Sequence, residues 1–299
     1  EAVAIDMKAP EGLALVKQLA EKCDIVMENF RPGVLDRLGL TYDDLSSRNP
    51  GLIWASISGF GQTGPYRERP AYDMIVQAMS GGMSLTGEVG RSAVRAGMPI
   101  GDLTAGMYAT VGSLAALEER RRTGKGKFVD ISMLDCQVAL LTYQAAYYLH
   151  SDKVPGRQGR GHESIPTYRS FAGANDTELV ICANTERMWQ GLCAVLALEE
   201  LTEDERFLTN EHRHNNREAL WPLLEEAFVT KEAKEWVPSL LEYGVPVGEV
   251  NTLADALSDP QVVHRQMVLD LEGDGDKRAR VAGNPIKFMG EEKAPHSYP

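Results

Sequence analysis

The feature that most constrains this chain is the alternation of strand-like and helix-like patterns along residues 1–150. Val3–Met7 reads as a short strand. Pro10 opens a helix to about Glu21, because proline in a first turn forfeits no hydrogen bond. Leu13, Leu15, Val16 and Leu19 are spaced for one face of that helix. Asp24–Glu28 reads as a second strand, Pro32–Leu38 as a short helix closed by Gly39, and Thr41 as the cap of another helix. Leu52–Ser58 is nearly all apolar, as in a strand buried on both faces. Helices are expected over Tyr72–Met83, Leu103–Arg122 and Leu134–Leu149, with a strand at Phe128–Ser132. Such alternation predicts an α/β domain with a mainly parallel sheet.

Residues 151–175 change character. Gly, Arg, Pro and Lys dominate Ser151–Glu163 and no periodicity survives. This is the expected linker. A smaller α+β domain is expected over 176–275, with a strand at Glu178–Ala183, helices at Glu186–Leu196, Arg217–Phe228 and Lys231–Tyr243, and an extended segment at Val245–Val250. Residues 276–299 read as a return linker toward the first domain. The abrupt Glu1 and Pro299 ends suggest that both termini continue in a longer protein.

A formal net charge of -12 argues against a general nucleic-acid surface. An anionic ligand would need a local basic pocket against that background. Apolar runs such as Val138–Leu141 are too short to span a membrane. Cys23, Cys136, Cys182 and Cys193 are scattered without CxxC spacing. They predict neither zinc nor a redox dithiol, and suit a cytoplasmic protein with reduced thiols. His212 and His214 lack a third ligand nearby, so no metal site is expected.

Gly59-Phe-Gly-Gln-Thr-Gly64 matches GxGxxG after a strand. A dinucleotide fingerprint must open a helix, whereas Gly64 runs into Pro65 and Pro70. A flexible loop beside an active site, or a plain turn, is the better reading. Asp102, in Gly101-Asp-Leu-Thr-Ala-Gly106, precedes a helical pattern. Aspartate there is ordinarily an N-cap. The same carboxylate sits in the positive field of a helix N-terminus and can attack an activated acyl group to form an anhydride. Asn29 follows a strand, where open α/β sheets bind ligands. Arg31 and Arg37 follow it, and arginine suits phosphate.

Several spaced segments together carry a resemblance: Ala4–Gly12, Val26–Gly33 with Leu35–Gly39, Ser56–Pro65, Ala71-Tyr-Asp73, and Gly101-Asp102 with Gly106. In these the chain resembles the family III CoA-transferases, the CaiB–BaiF family, which includes formyl-CoA and crotonobetainyl-CoA transferases. The resemblance implies a Rossmann-like large domain, a smaller domain, and an interlocked homodimer. It implies that Asp102 is the catalytic nucleophile, passing through an aspartyl anhydride and an aspartyl-CoA thioester. It places CoA contacts at Ile5, Asp6, Met7, Lys8, Asn29, Phe30, Arg31, Arg37, Arg69, Ala71 and Tyr72. Coenzyme A and small carboxylic acids would be substrates, with no tightly bound cofactor, metal, nucleic acid or membrane partner. Pro70 stands where the formyl-CoA branch has a basic residue, and that branch's tetraglycine loop is replaced by an Arg-rich Gly156–Gly161. The usual N-terminal segment is also missing from this sequence. The related α-methylacyl-CoA racemases use a histidine where this chain has Tyr72. A tyrosine, with an ordinary pKa of about 10, is a poor base. A racemase-like enzyme and a non-catalytic CoA-binding protein are the alternatives.

Overall fold

A computed structural model describes residues 2–272 and 278–290. The chain divides into two compact units, Ala2–Arg160 and the part that begins at Gly161. Among the described residues no helix is long and apolar enough to cross a membrane.

The first unit runs α1 (Pro10–Lys22), β1 (Ile25–Glu28), α2 (Val34–Arg37), α3 (Tyr42–Arg48), β2 (Ile53–Ser58), α4 (Asp73–Met79), α5 (Gly82–Leu85), α6 (Ile100–Thr123), β3 (Phe128–Ser132), α7 (Met133–Ala139) and α8 (Thr142–Ser151). Its sheet has the order β1-β2-β3, and both pairings are parallel. The central strand β2 buries Ile53, Trp54, Ala55, Ser56 and Ser58, hence its lack of alternation. Gly101, Thr104, Ala105, Ala109, Ser113 and Ala116 are the buried residues along α6. Small side chains let this helix lie close to the sheet: a Cβ on Gly112 would come within 2.8 Å of Val129 Cγ1. Leu103, Met107, Val111 and Leu114, at helical spacing, are exposed.

Four local expectations change. Val3–Met7 is irregular, because among the described residues no strand lies alongside to complete a ladder. The helix over Tyr72–Met83 is split, because Gly81 turns left-handed at φ 91°. The helix over Leu134–Leu149 breaks before α8, where Thr142 takes φ 41°, a left-handed value rare for a β-branched residue. Finally, α6 starts at Ile100, so Asp102 is a first-turn residue and not its N-cap.

The second unit contains β4 (Tyr168–Ala172), β5 (Glu178–Cys182), α9 (Glu186–Leu196), α10 (Asn210–Asn215), α11 (Arg217–Phe228), α12 (Ala233–Glu242), β6 (Val247–Glu249), α13 (Leu253–Ser258), α14 (Pro260–His264), β7 (Val268–Glu272) and β8 (Arg278–Ala282). Antiparallel β4-β5-β6 and the hairpin β7-β8 make its sheets. Phe171, Leu179, Trp189, Leu192, Leu220, Phe228 and Trp236 close a core between the first sheet and the helices. Arg213 is fully buried and answered by Glu186 at 2.6 Å. Strand β4 falls inside the expected linker 151–175 and β8 inside the expected return linker 276–299, because each pairs with a neighbouring strand; residues 276–277 and 291–299 lie outside the described residues.

At the end of β2, Gly59 meets Ala71, and a Cβ on Gly59 would collide with the Ala71 Cβ. The Gly59→Ala substitution is therefore expected to cost about 1–3 kcal/mol by overpacking. Urea unfolding should show a lower midpoint at unchanged slope; an unaltered midpoint would contradict the contact.

Candidate active site

The three parallel strands end on one edge of the sheet, and a cavity of about 230 Å³ opens there. Asn29, Phe30, Arg31 and Pro32 enter its wall directly after β1, Ile57, Ser58 and Gly59 at the end of β2, and Met133 directly after β3. Arg67, Arg69, Ala71 and Tyr72 come from the loop before α4, and Asp102 from the first turn of α6. Ligands of open parallel sheets bind at this edge, because the loops leaving the strands converge there.

Local hydrogen bonds hold the wall in place. Asn29 Nδ2 donates to the Ile57 carbonyl at 2.8 Å, joining the ends of β1 and β2. The Gly61 N–H donates to Ser58 Oγ, and the Gln62 N–H to the Asp130 carboxylate. The glycine loop is thus pinned, and these N–H groups are occupied, unlike those of a phosphate cradle. Arg67 and Arg69 close turns onto Gly64 and Tyr66, and no helix forms before Pro70. The exclusion of a dinucleotide fingerprint follows from the same feature.

Asp102 is exposed toward the cavity, and among the described residues no donor hydrogen-bonds its carboxylate. The capping duty belongs to Asp73 instead. Its Oδ1 accepts the Gly101 N–H at 2.7 Å, and its Oδ2 accepts Gln77 Nε2 at 2.7 Å. Gly101 must lack a side chain here, since a Cβ would lie 2.9 Å from Val76 Cγ2 and 3.0 Å from Asp73 Oδ1. Desolvation raises the pKa of Asp102, and the Asp73 charge raises it further. A carboxylate so placed is more basic than an ordinary one, and is free to act on a ligand.

Arginines face it. Arg31, Arg67 and Arg69 line the cavity, and the Arg69 guanidinium stacks 3.8 Å over the Tyr66 ring. Arg37 lies outside the lining, but its Nη1 and the Arg67 Nη2 sit 3.3 and 3.7 Å from where a Gly33 Cβ would be. Among the described residues, Arg31, Arg37 and Arg69 have no carboxylate partner, whereas Arg67 pairs with Glu68 at 2.6 Å. Ile5, Asp6, Met7 and Lys8 do not line the cavity. Asp6 accepts the Lys8 and Ala9 N–H groups in a turn, and Met7 packs into the apolar cluster that includes Leu35 of α2.

Arg67 and Gln77, in or beside this site, were not singled out by sequence, and Asp73 was named only within the Ala71-Tyr-Asp73 segment. Arg67 looked like any loop arginine, although its place two residues before Arg69 was a usable signal. Asp73 and Gln77 work through contacts 19 to 28 residues away in sequence, which no local pattern reveals. Among the described residues no group of three His, Cys, Asp or Glu is placed to hold a metal ion.

Replacing Asp73 with Asn removes the neighbouring charge and is expected to lower the pKa of Asp102, leaving the desolvation effect in place. An aspartate that acts as a nucleophile does so as the carboxylate, present above its pKa. The acid limb of activity should therefore move to lower pH in Asp73→Asn; an upward shift would contradict the arrangement.

The comparisons with known proteins agree along the whole length. Residues 1–299 match the model of CoA-transferase family III. A mouse (Mus musculus) succinyl-CoA:glutarate CoA-transferase is 38% identical over 99% of this chain, which spans 68% of that protein. An acetyl-CoA:oxalate CoA-transferase of Acetobacter aceti is 38% identical over 100% of this chain and 75% of its own. The crystal structure of a CAIB/BAIF family protein from Brucella suis superposes with a TM-score of 0.89 at 38% identity, covering 99% of this chain and 77% of that one. The parallel sheet, the cavity at its carboxyl edge and these matches lead to one assignment: the chain belongs to CoA-transferase family III.

Proposed function

We propose that this CoA-transferase works through covalent catalysis by Asp102. An Asp102 oxygen attacks the thioester carbonyl carbon of the acyl-CoA. The C–S bond breaks, giving an acyl-aspartyl anhydride and the CoA thiolate. That thiolate attacks the aspartyl carbonyl, releases the donor as its carboxylate and leaves an aspartyl-CoA thioester. An acceptor carboxylate attacks this thioester, forming a second anhydride and freeing the thiolate again. Attack of the thiolate on the acceptor's acyl carbon yields the new acyl-CoA and restores Asp102. A carboxylate with a raised pKa and no donor among the described residues suits the first attack, in which Asp102 is the nucleophile.

The observation that carries this reading is the meeting of that carboxylate with arginines in one cavity. The arginines suit the phosphates of CoA: a guanidinium makes paired hydrogen bonds to phosphate oxygens and stays charged. Arg31 and Arg69, without carboxylate partners, hold their donors ready. We assign Asn29, Phe30, Ala71 and Tyr72 to the same binding surface. Ile5–Lys8 and Arg37 would extend it beyond the cavity wall. Relatives named for glutarate, oxalate and D-citramalate support a small carboxylic acid as acceptor.

A homodimer is proposed on separate grounds. Leu103, Met107, Val111 and Leu114 on α6, with Met74 and Ile75 on α4, leave large apolar side chains exposed. Contiguous apolar patches on a soluble monomer commonly mark an interaction surface. The four free cysteines suit a reducing compartment such as the cytoplasm.

Quenching the full-length protein with hydroxylamine during turnover should leave a hydroxamate on Asp102, seen by peptide mass spectrometry, and Asp102→Asn should abolish both transfer and adduct. Transfer that proceeds without modification of Asp102 would refute the covalent route. Arg31→Ala and Arg67→Met should each raise KM for acyl-CoA about 10- to 100-fold, the loss of one charge-assisted hydrogen bond, with a smaller change in kcat. An unchanged KM in both would remove them from the binding surface.

A further inference from the structure

Gln77 lies behind the cavity, not in it, and is 3% exposed. Its side chain joins separate parts of the chain. Nε2 donates to Asp73 Oδ2 at 2.7 Å and makes a longer contact, 3.5 Å, with the Met98 carbonyl. Oε1 accepts the Ala96 N–H at 2.9 Å. Asp73, held on one oxygen by Gln77, uses the other to hold the Gly101 N–H. One amide therefore grips both the segment leading into α6 and the carboxylate that caps it. A buried amide with both ends engaged has a single productive orientation, and a partly satisfied alternative is costly.

We propose that Gln77 is a positioning residue for the transfer reaction: through Asp73 and the 96–98 segment it sets where the first turn of α6 presents Asp102. This rests on the covalent reading above and adds a residue that touches no substrate. Loss of the amide would leave Asp73 Oδ2 and the Ala96 N–H without partners, and the first turn would move. A displacement of this kind, away from the reacting atoms, can cost about 100-fold in rate.

The chemistry of the contact offers a discriminating variant. A neutral carboxylic acid at position 77 can donate its O–H to Asp73 Oδ2 and accept the Ala96 N–H with its carbonyl oxygen. An ionised one has no proton to donate and repels Asp73. The charged and titratable groups around the position are Asp73 on α4, Asp102 on α6, Arg95, whose guanidinium binds the Ala96 and Gly97 carbonyls, and Cys136 on α7, which clusters with Val76. Burial beside the Asp73 carboxylate would hold the introduced acid's pKa above the ordinary glutamate range.

The test compares Gln77→Glu and Gln77→Met in the full-length protein, following kcat, KM for acyl-CoA and thermal melting across pH. Gln77→Glu should transfer CoA at low pH and lose kcat as pH rises, through a basic limb added to the parent profile, while its KM changes little. Gln77→Met should be about 10- to 100-fold slower at every pH. The proposal is overturned if Gln77→Glu keeps the parent pH profile, if Gln77→Met keeps the parent kcat, or if the rate falls only where the variant melts. Hydroxylamine trapping reports separately: a parent enzyme that transfers CoA without labelling Asp102 defeats the covalent reading, while the pH profiles of the variants still judge Gln77.

Discussion

Helix α6 begins at Ile100 with no capping side chain of its own, since its N-cap is Pro99. The carboxylate of Asp73, carried by α4, takes the Gly101 N–H in its place. This borrowed cap satisfies one orphan donor at the helix end and brings a negative charge into the positive field there. It also leaves the next residue, Asp102, free of the capping role. The two acids divide the work: Asp73 is bonded, while Asp102 has no donor among the described residues and carries a raised pKa. Gly101 makes the arrangement possible, because no side chain fits between α4 and α6 at that point.

The cations obey a related logic. Arg48, Arg120, Arg169 and Arg213 all have a carboxylate partner. Near the cavity, Arg31, Arg37 and Arg69 have none among the described residues, while Arg67 pairs with Glu68. Arg69 is steadied by the face of Tyr66, which orients a guanidinium while leaving its edge donors open. A group of positive charges on an acidic molecule acts over short range, because salt screens exposed charges beyond a Debye length of about 8 Å.

Much of the architecture was legible in the sequence. The strands around Leu52–Ser58 and Phe128–Ser132 and the helix Glu186–Leu196 carry strong local patterns, and the Thr41 cap does bond the Asp44 N–H. What escaped depended on neighbours distant in sequence. Val3–Met7 has strand-like residues, but strandhood requires a partner, and none lies beside it among the described residues. The break before α8 sits in an apolar run with no glycine or proline to mark it. At the site, Asp102 stood out from its surroundings, yet its local context described a cap, because the true capping group lies 29 residues earlier. Gln77 carries no local signal that distinguishes it from an ordinary helical glutamine, and the one signal for Arg67 was its place two residues before Arg69.

The contact between Gly59 and Ala71 joins the end of the central strand to the corner that presents Tyr72. Its consequence is evolutionary. Neither position can grow alone: a larger side chain at Gly59 runs into Ala71, and a larger one at Ala71 runs into the bare backbone opposite. As homologous sequences drift, the two positions are expected to stay small together or to change together. That constraint would persist through changes of substrate, because it comes from the route of the backbone and not from the acid that the enzyme accepts.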